Sequence, residues 1–194
     1  MKHDLTIVGS AFRLRPINDA DASLVLELRN NLVLNRFLHA TSPNLENQLA
    51  WLACYYKRPN DYYFVVERCQ DGAAEGLISL YDIDEASHRG EWGRWILHPG
   101  SLAAIESSLL VYRCAFETLG LREVYCRTVV ENKPVISFHD SCGITDRRIL
   151  PGHFKLNGIL VDAVEHRVGQ ATWARIEPGM KRLAQLIARR LHLG

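Results

Sequence analysis

Apolar positions change period several times along this chain, and each change marks an element. Phe12-Arg13-Leu14-Arg15 alternates apolar and charged residues, the pattern of a half-buried edge strand, and Pro16 with Asn18-Asp19 ends it. Over 21–38, Leu24, Leu28, Leu32 and Phe37 return at roughly helical spacing and predict a first helix, with Arg29 and Asn30 between them. Ser42-Pro43-Asn44 opens a second helix over 45–57. The period then falls to two. Tyr62-Tyr63-Phe64-Val65-Val66-Glu67 reads as a strand, Gln70-Asp71-Gly72 as a turn, and 76–84 and 91–97 as two further strands.

The clearest helix follows. Leu102, Ile105, Leu109, Tyr112, Phe116 and Leu119 form one apolar stripe that Gly120 ends. Residues 124–130 are rich in β-branched side chains and read as a strand. A short helix opens at Asn132, carries Pro134 in its first turn and closes at Gly143. A last strand region is expected between 158 and 176. The segment 178–193 reads as a basic amphipathic helix with Met180, Leu183, Ile187 and Leu191 on one side. The expected organisation is one domain over 1–177 and a C-terminal basic amphipathic helix over 178–194. Its class is α+β, a three-layer α/β/α sandwich around a mixed, mostly antiparallel sheet.

Composition narrows the function classes. The 194 residues carry 23 basic and 22 acidic side chains, a net charge of +1, which argues against a nucleic-acid surface covering the protein. No apolar run reaches the ~18 residues of a membrane span. The N-terminal Met1-Lys2-His3-Asp4-Leu5 lacks the apolar stretch of a signal peptide. Cys54, Cys69, Cys114, Cys126 and Cys142 are odd in number and include no CxxC pair, as expected of a reduced, cytoplasmic protein. The eight histidines form no HxxxH or HxH pair, so spacing predicts no metal site.

Three segments could carry chemistry. Glu91-Trp92-Gly93-Arg94-Trp95-Ile96-Leu97 runs through His98-Pro99 into Gly100, Ser101, Leu102, Ala103 and Ala104 and on into the long helix. Such a strand-to-helix turn aims backbone N–H groups and a positive dipole end at one point, which suits phosphate oxygens. Many α/β proteins have this turn without a ligand. The second segment, Asn132 to His139 on the short helix, has a plain structural reading: Asn132 as a helix cap and His139 as a half-buried structural histidine. The third is Leu28-Arg29-Asn30-Asn31, where a solvated helix face is the bland explanation.

These segments, in this order, resemble the GNAT superfamily of acetyl-CoA-dependent N-acetyltransferases over about 12–173. Within it the sequence is most similar to enzymes that acetylate the 4-amino group of UDP-linked amino sugars in pseudaminic-acid-type pathways. The residues that carry the resemblance are Glu27-Leu28-Arg29-Asn30, Glu91-Trp92-Gly93, Ala115-Phe116-Glu117 and Glu131-Asn132-Lys133 before Phe138. The ribosomal-protein N-terminal acetyltransferases share much of this layout, including Asn157-Gly158 and Asp162.

The resemblance implies a sheet splayed between its fourth and fifth strands (91–97 and 124–130), with acetyl-CoA as cosubstrate lying in the gap. Backbone groups of Ile96 and Leu97 would pair with the pantetheine arm, and one strand N–H would stabilise the oxyanion by roughly 3 kcal/mol. The pyrophosphate would sit on the N–H groups of Gly100, Ser101, Leu102, Ala103 and Ala104, and Asn132 would reach the cofactor arm. Arg29, Asn30 and Trp95 would contact the sugar, and Glu91 would accept the proton of the attacking amine. His139 stands where the sugar acetyltransferases usually carry a tyrosine that protonates the departing thiolate. The phosphate loop departs further: one glycine, no basic residue, and Glu106 nearby.

The expected activity is direct acetyl transfer to a nucleotide-linked amino sugar in surface-polysaccharide synthesis, without metal. The alternatives are N-terminal acetylation of a protein and a non-catalytic binding module of the same fold. The partner is expected to be a small molecule rather than nucleic acid or membrane. The apolar side of the C-terminal helix would cover either the domain or, in a homodimer, a second copy.

Overall fold

The computed structural model describes residues 1–39 and 41–193. Its strands are β1 (Ile7–Val8), β2 (Phe12–Pro16), β3 (Tyr62–Arg68), β4 (Ala74–Asp84), β5 (Arg89–Leu97), β6 (Glu123–Val129), β7 (Arg147–Leu156) and β8 (Ile159–Gly169). Its α-helices are α1 (Ala22–Asn30), α2 (Leu45–Tyr55), α3 (Ala104–Arg113), α4 (Lys133–Ser141) and α5 (Gln170–Leu193). The strands form one sheet in the order β1-β2-β3-β4-β5-β6-β8-β7, antiparallel throughout except for β5 against β6.

Period-two alternation builds a core on each face of the sheet. Phe64, Val66, Ile78 and Leu80 point toward Leu110, Val111 and Tyr112 of α3 and Met180, Ala184 and Ala188 of α5. Tyr63, Val65 and Leu77 point the other way, against Val25 and Leu28 of α1 and Leu52 and Tyr55 of α2. This is the expected α+β three-layer sandwich, and the expected splay is present. The fourth and fifth strands of the sequence reading are β5 and β6 here, because the short β1 precedes them. They pair only at Arg89↔Glu123, Gly90↔Val124 and Glu91↔Tyr125, and then diverge.

Four boundaries differ from expectation, each for a local reason. The first helix stops at Asn30, because the Asn31 side chain accepts from the N–H groups of Val33 (3.0 Å) and Leu34 (3.3 Å) and starts a turn. Leu32, counted in the helical stripe, is therefore exposed. The long helix starts at Ala104 with Leu102 in the preceding loop, and its last turn, Cys114–Thr118, widens to a π-helix. The expected strand over 158–176 ends at Gly169, and β7, which was not expected, pairs with it.

The C-terminal helix begins eight residues before Pro178 and runs through it, across the expected division at 177/178. Ala174 and Pro178 lie on its exposed side, where a carbonyl that loses its partner is solvated at little cost. Its buried stripe is Trp173, Ile176, Met180, Ala184 and Ala188, and Leu183 is exposed. The two alanines let the helix lie close on α3. All five cysteines are free thiols. Among the described residues no helix is long and apolar enough to cross a membrane.

Candidate active site

Beyond Glu91 and Tyr125 the facing edges of β5 and β6 lose their pairing, and a slot opens between them. It belongs to a cavity of about 670 Å3, lined on the β5 side by Glu91, Trp92, Gly93, Arg94 and Trp95 and on the β6 side by 126–129. α4 contributes Asn132, Val135 and His139. Among the expected site residues, Arg29, Glu91, Trp95, Asn132 and His139 line this one cavity. The side chains of Ile96 and Leu97 do not line it. They pack into the two cores; Ile96 pairs through its backbone with Leu77 of β4, and the backbone of Leu97 faces the slot.

A bulge shapes the β5 edge. Between Ser79↔Gly93 and Leu77↔Ile96, β5 spends one more residue than β4. Arg94 absorbs it at φ +49°, a left-handed conformation that costs on the order of 1–3 kcal/mol for a residue with a side chain. A bidentate pair to Asp61 (2.7 and 3.0 Å) and the Tyr81 ring, 4.3 Å from the guanidinium, hold it there. The shift places Trp95 on the same face as Trp92, with ring centroids 5.6 Å apart, where its indole N–H donates to Ser107 Oγ at 3.1 Å. Gly93 is required by contact: a Cβ there would lie 2.7 Å from the Tyr81 hydroxyl oxygen.

That hydroxyl donates to Glu91 Oε1 at 3.1 Å, while Arg127 Nη1 reaches Glu91 Oε2 at 2.9 Å. Both contacts favour the ionised carboxylate and loss of water opposes it. Burial wins, pushing the Glu91 carboxyl up to about 7. Arg127 is shared with Glu165, 3.0 Å away, which Arg148 also holds at 2.8 Å. Glu91 is thus a buried carboxyl at the apex of the fork, poised to exchange a proton near neutrality.

His139 is buried, with Nε2 3.5 Å from Cys126 Sγ and its ring 4.8 Å from that of His166. Burial, reinforced by His166, drives its pKa down to about 3, so the ring is a neutral imidazole at physiological pH.

Asn132 occupies the N-cap position of α4, yet its side chain makes no capping hydrogen bond and faces the cavity. It is therefore available to a ligand. Asn132→Ala should weaken the binding of a ligand in the slot several-fold, the scale of one hydrogen bond of about 1 kcal/mol, without lowering the unfolding temperature. A cap would instead lose about 1 kcal/mol of stability on the same change.

The loop before α3 lies outside the main cavity. Gly100, at φ +81°, is the third residue of a turn in which His98 O accepts from Ser101 N at 3.0 Å, a conformation Pro99-Gly100 suits. Ser101 Oγ in turn accepts from Ala103 N at 3.2 Å. Two of the five N–H groups expected to hold a pyrophosphate are thus engaged. Glu106 does not add charge to the loop, correcting the sequence expectation. Its buried carboxylate turns away and accepts from the N–H groups of Ser10, Ala11 (3.0 Å) and Phe12 (3.2 Å). Glu106→Ala would strand these donors and should cost about 3 kcal/mol. For a chain of this size that lowers the unfolding temperature by about 10 °C, measurable by calorimetry.

Along the wall of the cavity formed by α1 and α2, Arg29 Nε donates to Thr41 Oγ1 at 2.7 Å and Nη2 to His39 O at 3.2 Å. Arg58 lies 5.5 Å from the Trp51 ring centroid. Neither has a carboxylate partner among the described residues. Arg94 and Arg127 also line the cavity, where Glu91 is the one carboxylate among the described residues. Asn30 does not line it; its amide bonds back to Leu26 O at 2.9 Å. Tyr81, Arg127, Arg58, Trp51, Cys126 and His166 are additions that sequence reasoning missed.

A parted mixed sheet with a buried carboxyl at the apex and a helix end on its rim offers an extended ligand bare peptide edges beside a group that exchanges a proton near neutrality. Residues 12–145 match the acetyltransferase (GNAT) domain family, to which the chain belongs; it is an N-acetyltransferase. No curated protein matches it. Among solved structures it is similar to FdhC, a nucleotide-linked sugar GNAT, at 26% identity over 94% of this chain and 99% of that one, TM-score 0.77. It is also similar to a GCN5-related N-acetyltransferase from Brucella melitensis, at 22% identity over 93% and 86% of the two chains, TM-score 0.81. A spermidine N-acetyltransferase from Vibrio cholerae matches at 21% identity over 85% of this chain and 97% of that one, TM-score 0.73.

Proposed function

We propose that this protein transfers the acetyl group of acetyl-CoA to the amino group of a nucleotide-linked amino sugar. The observation that carries the reading is the charge of the acceptor side: Arg29 and Arg58, both without a carboxylate partner among the described residues, beside Trp51. A polyamine brings several positive charges and would be repelled there. A nucleotide diphosphate brings negative charge for the guanidinium groups. The likeness to a nucleotide-linked sugar GNAT supports the same choice.

The slot between β5 and β6 fits the cosubstrate, since it offers bare peptide edges and the uncapped Asn132. Acetyl-CoA supplies an activated thioester. The amine lone pair forms a C–N bond to the carbonyl carbon as the C–S bond breaks, and Glu91 takes the amine proton. The sulfur leaves with the bonding pair as a thiolate that is protonated by solvent. Backbone groups of the β5 edge, those of Leu97 among them, orient the thioester. Gly100, Leu102 and Ala104 complete a backbone grip on the diphosphate that Ser101 and Ala103 only shape. Held neutral, His139 acts on the sulfur as an N–H donor and not as a stored proton. His139→Ala should therefore lower turnover by about 10- to 100-fold, the scale of a hydrogen bond of about 1.5–3 kcal/mol to a charged group; an unchanged rate would remove it from the mechanism.

The deciding experiment is thiol release from acetyl-CoA against UDP-amino sugars, spermidine and N-terminal peptides. The highest kcat/KM is expected with an amino sugar. Faster turnover of spermidine or of a peptide would overturn the assignment.

A further inference from the structure

At the cavity wall, three side chains that sequence spacing kept apart come together. Cys126 and His166 are direct cross-strand partners on β6 and β8, and His139 reaches them from α4. All three are buried, and one ligand atom from each lies within 4.8 Å of the others. Cys126 Sγ and His139 Nε2 are already 3.5 Å apart. A tetrahedral ion with bonds of about 2.0 Å to nitrogen and 2.3 Å to sulfur needs ligand separations of roughly 3.3–3.8 Å. Closing the set takes about 1 Å of side-chain movement.

The hydrogen bonding of the cluster is unfinished in a way that points to a ligand. His166 Nε2 lies 3.4 Å from Asp140 Oδ1. A carboxylate can only accept, so this nitrogen carries the ring proton and leaves Nδ1 with a bare lone pair. That Nδ1 is buried without a partner. A carboxylate that orients a histidine is the usual support behind a metal ligand. Cys126 and His139 also line the cavity, which leaves a fourth position open to water or a small ligand.

We propose that Cys126, His139 and His166 form a binding site for a thiophilic divalent cation such as Zn2+, with Asp140 orienting His166. On binding, the Cys126 thiol gives its proton to solvent and the thiolate bonds the ion, while both imidazoles bind as neutral donors. This draws His139 onto the metal and away from the slot, so zinc occupancy is an inhibitory state of the acetyltransferase. The site itself rests on no assumption about the acceptor.

The test is optical and independent of turnover. Titrating the purified full chain with Co2+ should give one bound ion per chain, tetrahedral ligand-field bands and a thiolate-to-cobalt charge-transfer band, all displaced by Zn2+. The charge-transfer band should survive Cys54→Ser with Cys69→Ser, because those thiols are exposed, and should vanish in Cys126→Ser. Asp140→Asn, at a partly exposed position, keeps all three ligands and should weaken Co2+ about 10-fold or more. Absence of the thiolate band in the unaltered protein, its persistence in Cys126→Ser, or unchanged affinity in Asp140→Asn would each overturn the proposal.

Discussion

Glu91→Gln should lower kcat/KM by about 10²- to 10⁴-fold, the range spanned by positioned proton acceptors. The change keeps the side chain's shape and the hydrogen bond from Tyr81, so it removes basicity while leaving the fork in place. The pH dependence carries the sharper signature. Because burial raises the carboxyl from its ordinary 4.5 to about 7, the ionised, basic form accumulates through neutrality. In the unaltered enzyme kcat/KM should rise across roughly pH 6–8, and the limb centred near 7 should be missing from the variant. Stability supplies an independent check. A carboxyl whose pKa is higher in the fold than in the unfolded chain makes the fold lose stability as pH rises from about 4.5 to about 7. Glutamine has no such loss, so the variant should unfold at the same temperature or higher above pH 7. A variant that is both inactive and less stable at pH 8 would mean that Glu91 serves the fold and not the reaction.

The sheet and both cores were legible because period-two and helical stripes are properties of consecutive residues. Phe64 and Val66 against Tyr63 and Val65 announce a strand buried on both faces. What escaped is set by contacts distant in sequence or by turns that compete with a periodic stripe. Leu32 continues the helical spacing, yet the Asn31 side chain captures the next two N–H groups and the helix ends. β7 carries Pro151-Gly152 at its middle, which reads as a turn and leaves only 153–156 to show its polar/apolar alternation. Asn157-Gly158, both at positive φ, was nevertheless a hairpin signal between 147–156 and 159–169.

The site shows the same division. Glu91, Trp95, Asn132 and His139 are named through the family resemblance, and they line one cavity. The partners that tune them are not: Tyr81 faces Glu91 across a hairpin, and Arg127 reaches it from β6. Glu106 is the clearest case. Near the phosphate loop in sequence, it reads as an unwelcome charge, and only the tertiary fold shows its carboxylate filling the turn before β2.

Removing the two acceptor-side guanidinium groups should have the second large effect. A hydrogen bond to a charged group contributes about 1.5–3 kcal/mol, so Arg29→Ala and Arg58→Ala should each lower kcat/KM for a UDP-amino sugar by about 10- to 100-fold. The loss should appear mainly in KM, because both residues lie apart from Glu91 and act on the part of the acceptor that does not react. Neither arginine is paired with a carboxylate among the described residues, so neither change strands a buried charge, and the fold should persist. The double variant is the stronger test, since it also lifts the repulsion of polycations. Its kcat/KM for the sugar nucleotide should fall by about 10³-fold while that for spermidine stays level or rises. Arg58→Lys, which keeps the charge but not the planar fork, should recover only part of the loss. If the double variant turned over the sugar nucleotide as well as the unaltered enzyme does, the positive wall of the cavity would have no part in choosing the acceptor.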